Sequence, residues 1–137
     1  MGLILDSSVA ITGERQRMSV EGLLAAIRDF VGPNEIALSV VSVMELEHGI
    51  WRAQEPVRAS RRRQFLNDLI ASVPVYPITT ELARQAGRID AERQSKGIRI
   101  AFQDLLTGVS ALDLDYSVMT HNIGHFQMIP NLVVRLF

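Results

Sequence analysis

The 137-residue chain has an ordinary globular composition, 47% hydrophobic and 21% charged, which excludes an intrinsically disordered protein. Its net charge of −1 means that affinity for a polyanion has to come from a local patch or a bound cation. The absence of cysteine excludes disulfides, thiol nucleophiles and thiolate zinc sites. The length predicts one domain, residues 1–137.

No stretch of the sequence predicts export or membrane insertion. The N-terminus lacks the basic segment, long apolar core and cleavage site of a signal peptide. The longest mostly apolar run, 36–44, is interrupted by two serines and is too short to cross a bilayer. We therefore expect a soluble, unprocessed protein of the cytoplasm that does not bind a membrane.

The first predicted element is a strand that ends on an acid. Gly2 to Leu5 is a short apolar run, typical of a strand buried on both faces, and Asp6 follows it directly. A carboxylate in apolar surroundings needs a partner. A helix is predicted from Ser7 to about Thr12, followed by a polar break at 13–17. Helical spacing of apolar residues then predicts a helix over 23–31, ended by glycine and proline at 32–33.

The middle of the chain continues the alternation of strands and helices. Residues 36–41 predict a strand, and Ser42 with Glu45 forms a capping-box pattern that opens a helix closed by Pro56. A helix with apolar positions 65, 66, 69 and 70 is entered through an arginine run at 61–63. Residues 73–78 are extended, and their two prolines confine them to an edge or to the start of a strand.

The last third predicts a helix over 80–96, a loop at 98–103 and a helix from about 104 to 112. A strand at 116–120, a loop or short helix at 121–128 and a strand at 132–136 complete the chain. Strands that alternate with helices along the whole chain predict an α/β fold with a parallel sheet covered on both faces.

Three acids fall at comparable places in this architecture. Asp6 ends the first strand, Glu45 lies in the turn after the second, and Asp104 begins the helix before the strand at 116–120. In a parallel sheet all three project toward one edge, where ligands bind. Clustered carboxylates either take up protons or bind a cation, and oxygen ligands favour Mg²⁺ or Mn²⁺.

Each acid also has a structural explanation. Glu45 completes a capping box, and Asp104 at a helix start gains from the helix dipole. Asp6 could cap the next helix, although its apolar surroundings favour a function. A phosphatase with an aspartyl nucleophile is disfavoured because Ser8 stands where a second acid is needed, and no glycine-rich loop predicts nucleotide binding.

At these acids the chain resembles the PIN-domain family of metal-dependent nucleases, in particular the VapC-like toxins of type II toxin–antitoxin pairs. The resemblance runs the full length, through the stretches Leu3-Ile4-Leu5-Asp6-Ser7-Ser8, Ser39 to Leu46 with Gly49, Gly97-Ile98 leading to Asp104, and Val118 to Asn122 with Phe126 and Pro130. It implies a three-layer α/β/α sandwich with a mainly parallel central sheet. It also implies that Asp6, Glu45 and Asp104 hold Mg²⁺ or Mn²⁺ and act in catalysis, with Ser8 and Asn122 orienting ligands or water.

The implied activity is that of an endoribonuclease toxin, in which a metal-activated water hydrolyses a phosphodiester bond of RNA. The resemblance further implies a homodimer and a small antitoxin protein that covers the groove. The helices between 42 and 72, including Leu66, are the expected contact surface. Arg52 and the run Arg61, Arg62 and Arg63 are candidate RNA contacts, with a solvated helix face as the alternative.

One residue departs from the family pattern. The family usually has an acid just before the phenylalanine of the last motif, where this chain has His125. Asp113 and Asp115 precede the strand at 116–120, so they lie at its opposite end, about 15 Å from the edge where the three acids are expected. His125 is therefore a candidate for contact with phosphate or water, and a catalytically weak or inactive PIN-like protein that binds RNA or a partner is the alternative function. Metal binding discriminates between the two.

The remaining histidines and the tryptophan give weaker signals. His121 and His125 are four residues apart and could bind zinc on one helical face, but no third ligand is evident, which favours solvent-exposed histidines. Trp51 is expected in the core, with an interface as the alternative.

Overall fold

The computed structural model describes all 137 residues and contains a five-stranded, all-parallel sheet in the order β3-β2-β1-β4-β5. The strands are β1 (Gly2–Leu5), β2 (Glu35–Ser39), β3 (Val75–Tyr76), β4 (Ser117–Thr120) and β5 (Val134–Leu136). The helices are α1 (Ser7–Arg15), α2 (Val20–Val31), α3 (Val40–Arg52), α4 (Pro56–Ser72), α5 (Thr80–Ser95) and α6 (Phe102–Leu114), and a 3-10 helix spans Ile123–His125. The predicted parallel α/β fold is confirmed. None of the helices combines the length and the apolar character that crossing a membrane requires.

The alternation of side chains along β1 builds two separate cores. Leu3 and Leu5 pack with buried residues of α1, α2 and α4 on one face, and Ile4 packs with buried residues of α5 and α6 on the other. Successive side chains of a strand point to opposite faces, so a strand buried on both faces has to be apolar at every position. The three layers that the family resemblance implied follow from this arrangement.

The strand order reverses beside β1. The chain first builds outward from β1 through β2 to β3, and then returns to add β4 and β5 on the other side of β1. Ligands of open parallel sheets bind at such a reversal, beyond the carboxyl ends of the strands. Here that point lies between the ends of β1 and β4, where Asp6 and Thr120 meet.

The predicted boundary between the second strand and the third helix was wrong. The strand was expected over 36–41, but Val40 and Val41 already belong to α3. The Ser39 side chain caps this helix by accepting a hydrogen bond from the Val41 N–H at 3.1 Å. Ser42 is therefore not a cap: it is buried and donates a hydrogen bond to the Leu5 carbonyl at 3.2 Å.

Two further helix boundaries differ from the expectation. Helix α1 continues through the predicted polar break as far as Arg15, and buries Gly13 against Leu23. Pro56 starts α4 rather than closing the helix before it, because a proline at the first helical position needs no N–H partner. The arginine run therefore begins in the second turn of α4 and not at its N-terminus.

Gly2 is required by a close approach to an aromatic ring. A Cβ at this position would overlap three ring atoms of Tyr116. We expect Gly2→Ala to destabilise the protein by about 1–3 kcal/mol, the usual cost of overpacking, measured by chemical denaturation. Gly87→Ala in α5 is the matched control, since a Cβ there meets nothing within 4 Å and should leave stability unchanged or raise it by up to about 1 kcal/mol. Equal effects of the two substitutions would contradict this explanation.

Candidate active site

Asp6 is buried at the end of β1 with two hydroxyl groups on the same carboxylate oxygen. Asp6 as a whole is only 6% exposed to solvent. Oδ2 accepts hydrogen bonds from Ser8 Oγ at 2.7 Å and from Thr120 Oγ1 at 2.8 Å. Because both donors meet Oδ2, Oδ1 has no protein donor and is the oxygen left for a ligand.

The backbone fixes both hydroxyls as donors toward Asp6. Ser8 Oγ accepts from the His121 N–H at 3.1 Å, and Thr120 Oγ1 accepts from the Asn122 N–H at 2.9 Å. A hydroxyl has one proton to donate, so an oxygen already accepting an N–H is oriented to give that proton to the carboxylate. Thr120 has no role among the predictions made from the sequence. Its position was nevertheless a signal, since Thr120 ends β4 and Asp6 directly follows β1 at the same edge of the sheet.

Glu45 approaches this site from α3. Its side chain is half-buried, and burial raises its pKa, with a further increase from the negative charge of Asp6 and a smaller one from Asp104. The nearby Ser7 hydroxyl acts in the opposite direction and lowers the pKa of Glu45. The carboxylate is thus held where its charge is disfavoured, as expected of a group that binds a cation.

Asp104 lies in the first turn of α6 and contacts His125. Burial raises the pKa of Asp104, the nearby His125 lowers it, and the charge of Asp6 raises it. His125 Nδ1 lies 3.4 Å from Asp104 Oδ2, and the histidine side chain is 60% exposed. Asp6, Glu45 and Asp104 therefore come from three separate elements and act on one another electrostatically.

The donor set fits a hard divalent cation, although the carboxylates are not drawn together into a ready-made cage of three ligands. Oxygen donors and the absence of thiols suit Mg²⁺ or Mn²⁺. The free Oδ1 of the buried Asp6 and the mutual repulsion of the three acids both favour a cation between them. This pattern would bring a polyanion and an attacking water to the same edge of the sheet.

A groove of about 920 Å³ leads away from Glu45 between α1, α3 and α4. Its lining includes Arg52, Arg58 and Arg62 as well as apolar residues. Arg62 is anchored there by a 2.6 Å hydrogen bond from Nη1 to the Gly49 carbonyl. Arg61 and Arg63 are exposed and do not line the groove, so the arginine run divides between the groove and the solvated face of α4.

Several other residues have surroundings that differ from those predicted from the sequence. Trp51 is not in the core: it is 76% exposed, and its Nε1 donates to Glu47 at 2.7 Å. Leu66 is only 3% exposed and lines the groove between α1, α3 and α4, so only a small part of this predicted contact residue is open to a partner. Asn122 is exposed, and its backbone N–H rather than its amide contacts the site. His121 packs edge-on against Phe137, with ring centroids 6.0 Å apart.

Thr120 supplies a direct test of the hydroxyl pair on Asp6. We expect Thr120→Val to weaken Mn²⁺ binding by about 10-fold, the loss typical when a group that orients a metal ligand is removed, measured by isothermal titration calorimetry. Thr107→Val is the matched control, because its buried Oγ1 has no hydrogen-bond partner. Unchanged affinity in Thr120→Val would mean that Ser8 alone orients Asp6.

Comparisons with known proteins find similarity over most of the chain. A PIN domain profile matches residues 3–128. Ribonuclease VapC10 of Mycobacterium tuberculosis is 32% identical over 130 residues, which make up 95% of this chain and 90% of that protein.

Solved structures match over the whole chain. The structure of VapBC2 from Rickettsia felis, bound to a DNA fragment from its promoter, has a TM-score of 0.83 at 20% identity and covers 99% of this chain and 98% of that chain. VapBC-5 from Mycobacterium tuberculosis, a member of the VapBC family of toxin–antitoxin systems, has a TM-score of 0.74 at 20% identity, covering 100% and 98%. From the profile match and the identity to Ribonuclease VapC10, we conclude that this chain belongs to the PIN-domain family.

Proposed function

We propose that this protein is a Mg²⁺- or Mn²⁺-dependent endoribonuclease and acts in the cytoplasm as the toxin of a toxin–antitoxin pair. The observation that carries the proposal is the group of Asp6, Glu45 and Asp104 at the reversal of strand order, with raised pKa values at Glu45 and Asp104. The relatives named Ribonuclease VapC support the reaction class.

The chain's own residues account for cation binding, orientation and substrate approach. Asp6, Glu45 and Asp104 would hold the cation, which when bound polarises a phosphoryl oxygen and lowers the pKa of its water. Ser8 and Thr120 hold Asp6 through Oδ2, so that Oδ1 would be free to bind the cation. Arg52 and Arg62 in the groove would attract the phosphate backbone, and Arg61 and Arg63 would act at longer range.

The groove beside Glu45 is the proposed site for a segment of a small antitoxin protein. It combines apolar positions, including Leu46 and Phe65, with four arginines that outnumber its three glutamates, which suits a segment with an apolar face and acidic residues. The structures of VapBC complexes support an antitoxin partner.

A homodimer is proposed through an adjoining patch that shares Met44 with the groove. Val40, Met44 and Phe102 are large apolar residues that are 38%, 57% and 66% exposed where α3 meets α6. An exposed apolar patch of this kind is typical of an interface. Met44→Glu, at an exposed position, should give a monomer in analytical ultracentrifugation if this face joins two copies.

The test of the activity is cleavage of a mixed RNA pool by the purified, antitoxin-free protein. We expect cleavage with Mg²⁺ or Mn²⁺, and none with EDTA or in the Asp6→Asn variant. Cleavage that persists in Asp6→Asn would show that another site or a contaminant is responsible.

The contact between His125 and Asp104 favours one alternative, a PIN-like protein that binds RNA or a partner without cutting it. That protein would retain RNA binding but show no metal-dependent cleavage of any RNA. If the wild type neither binds Mn²⁺ nor cleaves RNA, this alternative is favoured.

A further inference from the structure

His125 covers one side of the Asp104 carboxylate. Its Nδ1 is 3.4 Å from Asp104 Oδ2, a distance of direct contact between the two side chains. A carboxylate has two oxygens, so Asp104 Oδ1 is the oxygen left for a cation shared with Asp6 and Glu45. The imidazole ring thus lies where a further ligand of Asp104 would otherwise approach.

This side of the site has no carboxylate of its own. No aspartate or glutamate follows Asp115 in the sequence, so β4, the 3-10 helix and β5 supply none. Asp113 and Asp115 precede β4 and lie at its opposite end from Thr120. A second divalent cation beside His125 would have no carboxylate of its own and would have to share Asp6 and Asp104, whose negative charges the first cation already offsets.

We propose, building on the function proposed above, that the site binds one divalent cation per chain and that His125 is a positioning residue that closes the place of a second cation through its contact with Asp104. The histidine both limits the number of cations and holds the Asp104 carboxylate in one orientation. The roles are separable, because an aspartate at this position would supply ligand oxygens whereas an alanine would only remove the ring.

The test is Mn²⁺ titration of the full-length chain by calorimetry, with electron paramagnetic resonance of the loaded protein. Wild type should bind one Mn²⁺ per chain, and His125→Asp should bind two with the spectrum of a coupled pair. His125→Ala should still bind one, with affinity weakened by about 10-fold because Asp104 is no longer held. The His125 side chain is 60% exposed, and circular dichroism checks that all three proteins are folded.

Two results would overturn the proposal while leaving the nuclease function intact: two Mn²⁺ in the wild type, or one in His125→Asp, each together with metal-dependent RNA cleavage by the wild type. Absence of Mn²⁺ binding in the wild type would overturn this proposal and the proposed metal-dependent function together.

Discussion

Replacement of Asp104 by asparagine is expected to lower the rate of RNA cleavage by about 100-fold or more, because the cation loses one of its three charged ligands. Asparagine keeps the shape of the side chain, and burial already disfavours the charge of Asp104 by raising its pKa. The fold should therefore survive the substitution. The measurement is the initial rate of cleavage of a defined RNA at saturating Mn²⁺.

The same helix provides the matched control. Asp113 is exposed near the C-terminal end of α6, at the other end from Asp104. Asp113→Asn removes the same charge from the same helix and should leave the rate of RNA cleavage unchanged. A wild-type rate in Asp104→Asn, or an equal loss in both variants, would contradict a role of Asp104 in holding the cation.

A second large effect is expected on the stability of the protein without metal. Burial and the charge of Asp6 raise the pKa of Glu45 above its ordinary 4.5, so the native state binds this proton more tightly than the unfolded state does. The resulting stabilisation is complete when the pH is below 4.5, the ordinary pKa of this carboxyl. It is lost as the pH rises through the raised pKa of the native state. In EDTA, Glu45→Gln should therefore melt at about the wild-type temperature at pH 4 and a few degrees above it at pH 8.

Divalent cation should reverse that order at pH 8. A cation at 100 times its dissociation constant stabilises the wild type by about 2.7 kcal/mol, and Glu45→Gln should gain much less. Differential scanning calorimetry with and without Mn²⁺ measures both effects. Glu47→Gln, an exposed position of the same helix, is the control and should follow the wild type. If Glu45→Gln gained as much from Mn²⁺ as the wild type, Glu45 would not be a ligand.

The fold and the three acids were predictable because both follow from the local pattern of the sequence. A strand buried on both faces has to be continuously apolar, so Gly2 to Leu5 stands out and Asp6 marks its end. Once the elements alternate along the chain, the sheet is parallel and its carboxyl ends share one edge. Glu45 and Asp104 then lie near Asp6 by topology alone.

The support of the site was less predictable because it depends on residues distant in the sequence. Thr120 is 114 positions from Asp6, and only the pairing of β4 with β1 brings the two together. The Val40-Val41 pair is typical of a strand, yet it forms the first turn of α3 because Ser39 caps it and β1 has already ended. Tryptophan is a large apolar residue that is often found in a core, but Trp51 lies on the face of α3 that is exposed to solvent.

The exposed position of Trp51 makes the protein's own fluorescence a reporter of assembly. Trp51 is the only tryptophan of the chain. It lies next to the groove residue Arg52 and is 76% exposed to solvent. Unfolding will change its emission little, since the indole is nearly as hydrated in the native protein as in the denatured one. A partner that covers the end of α3 will shift the emission to shorter wavelength, so binding can be followed without a label and without interference from unfolding.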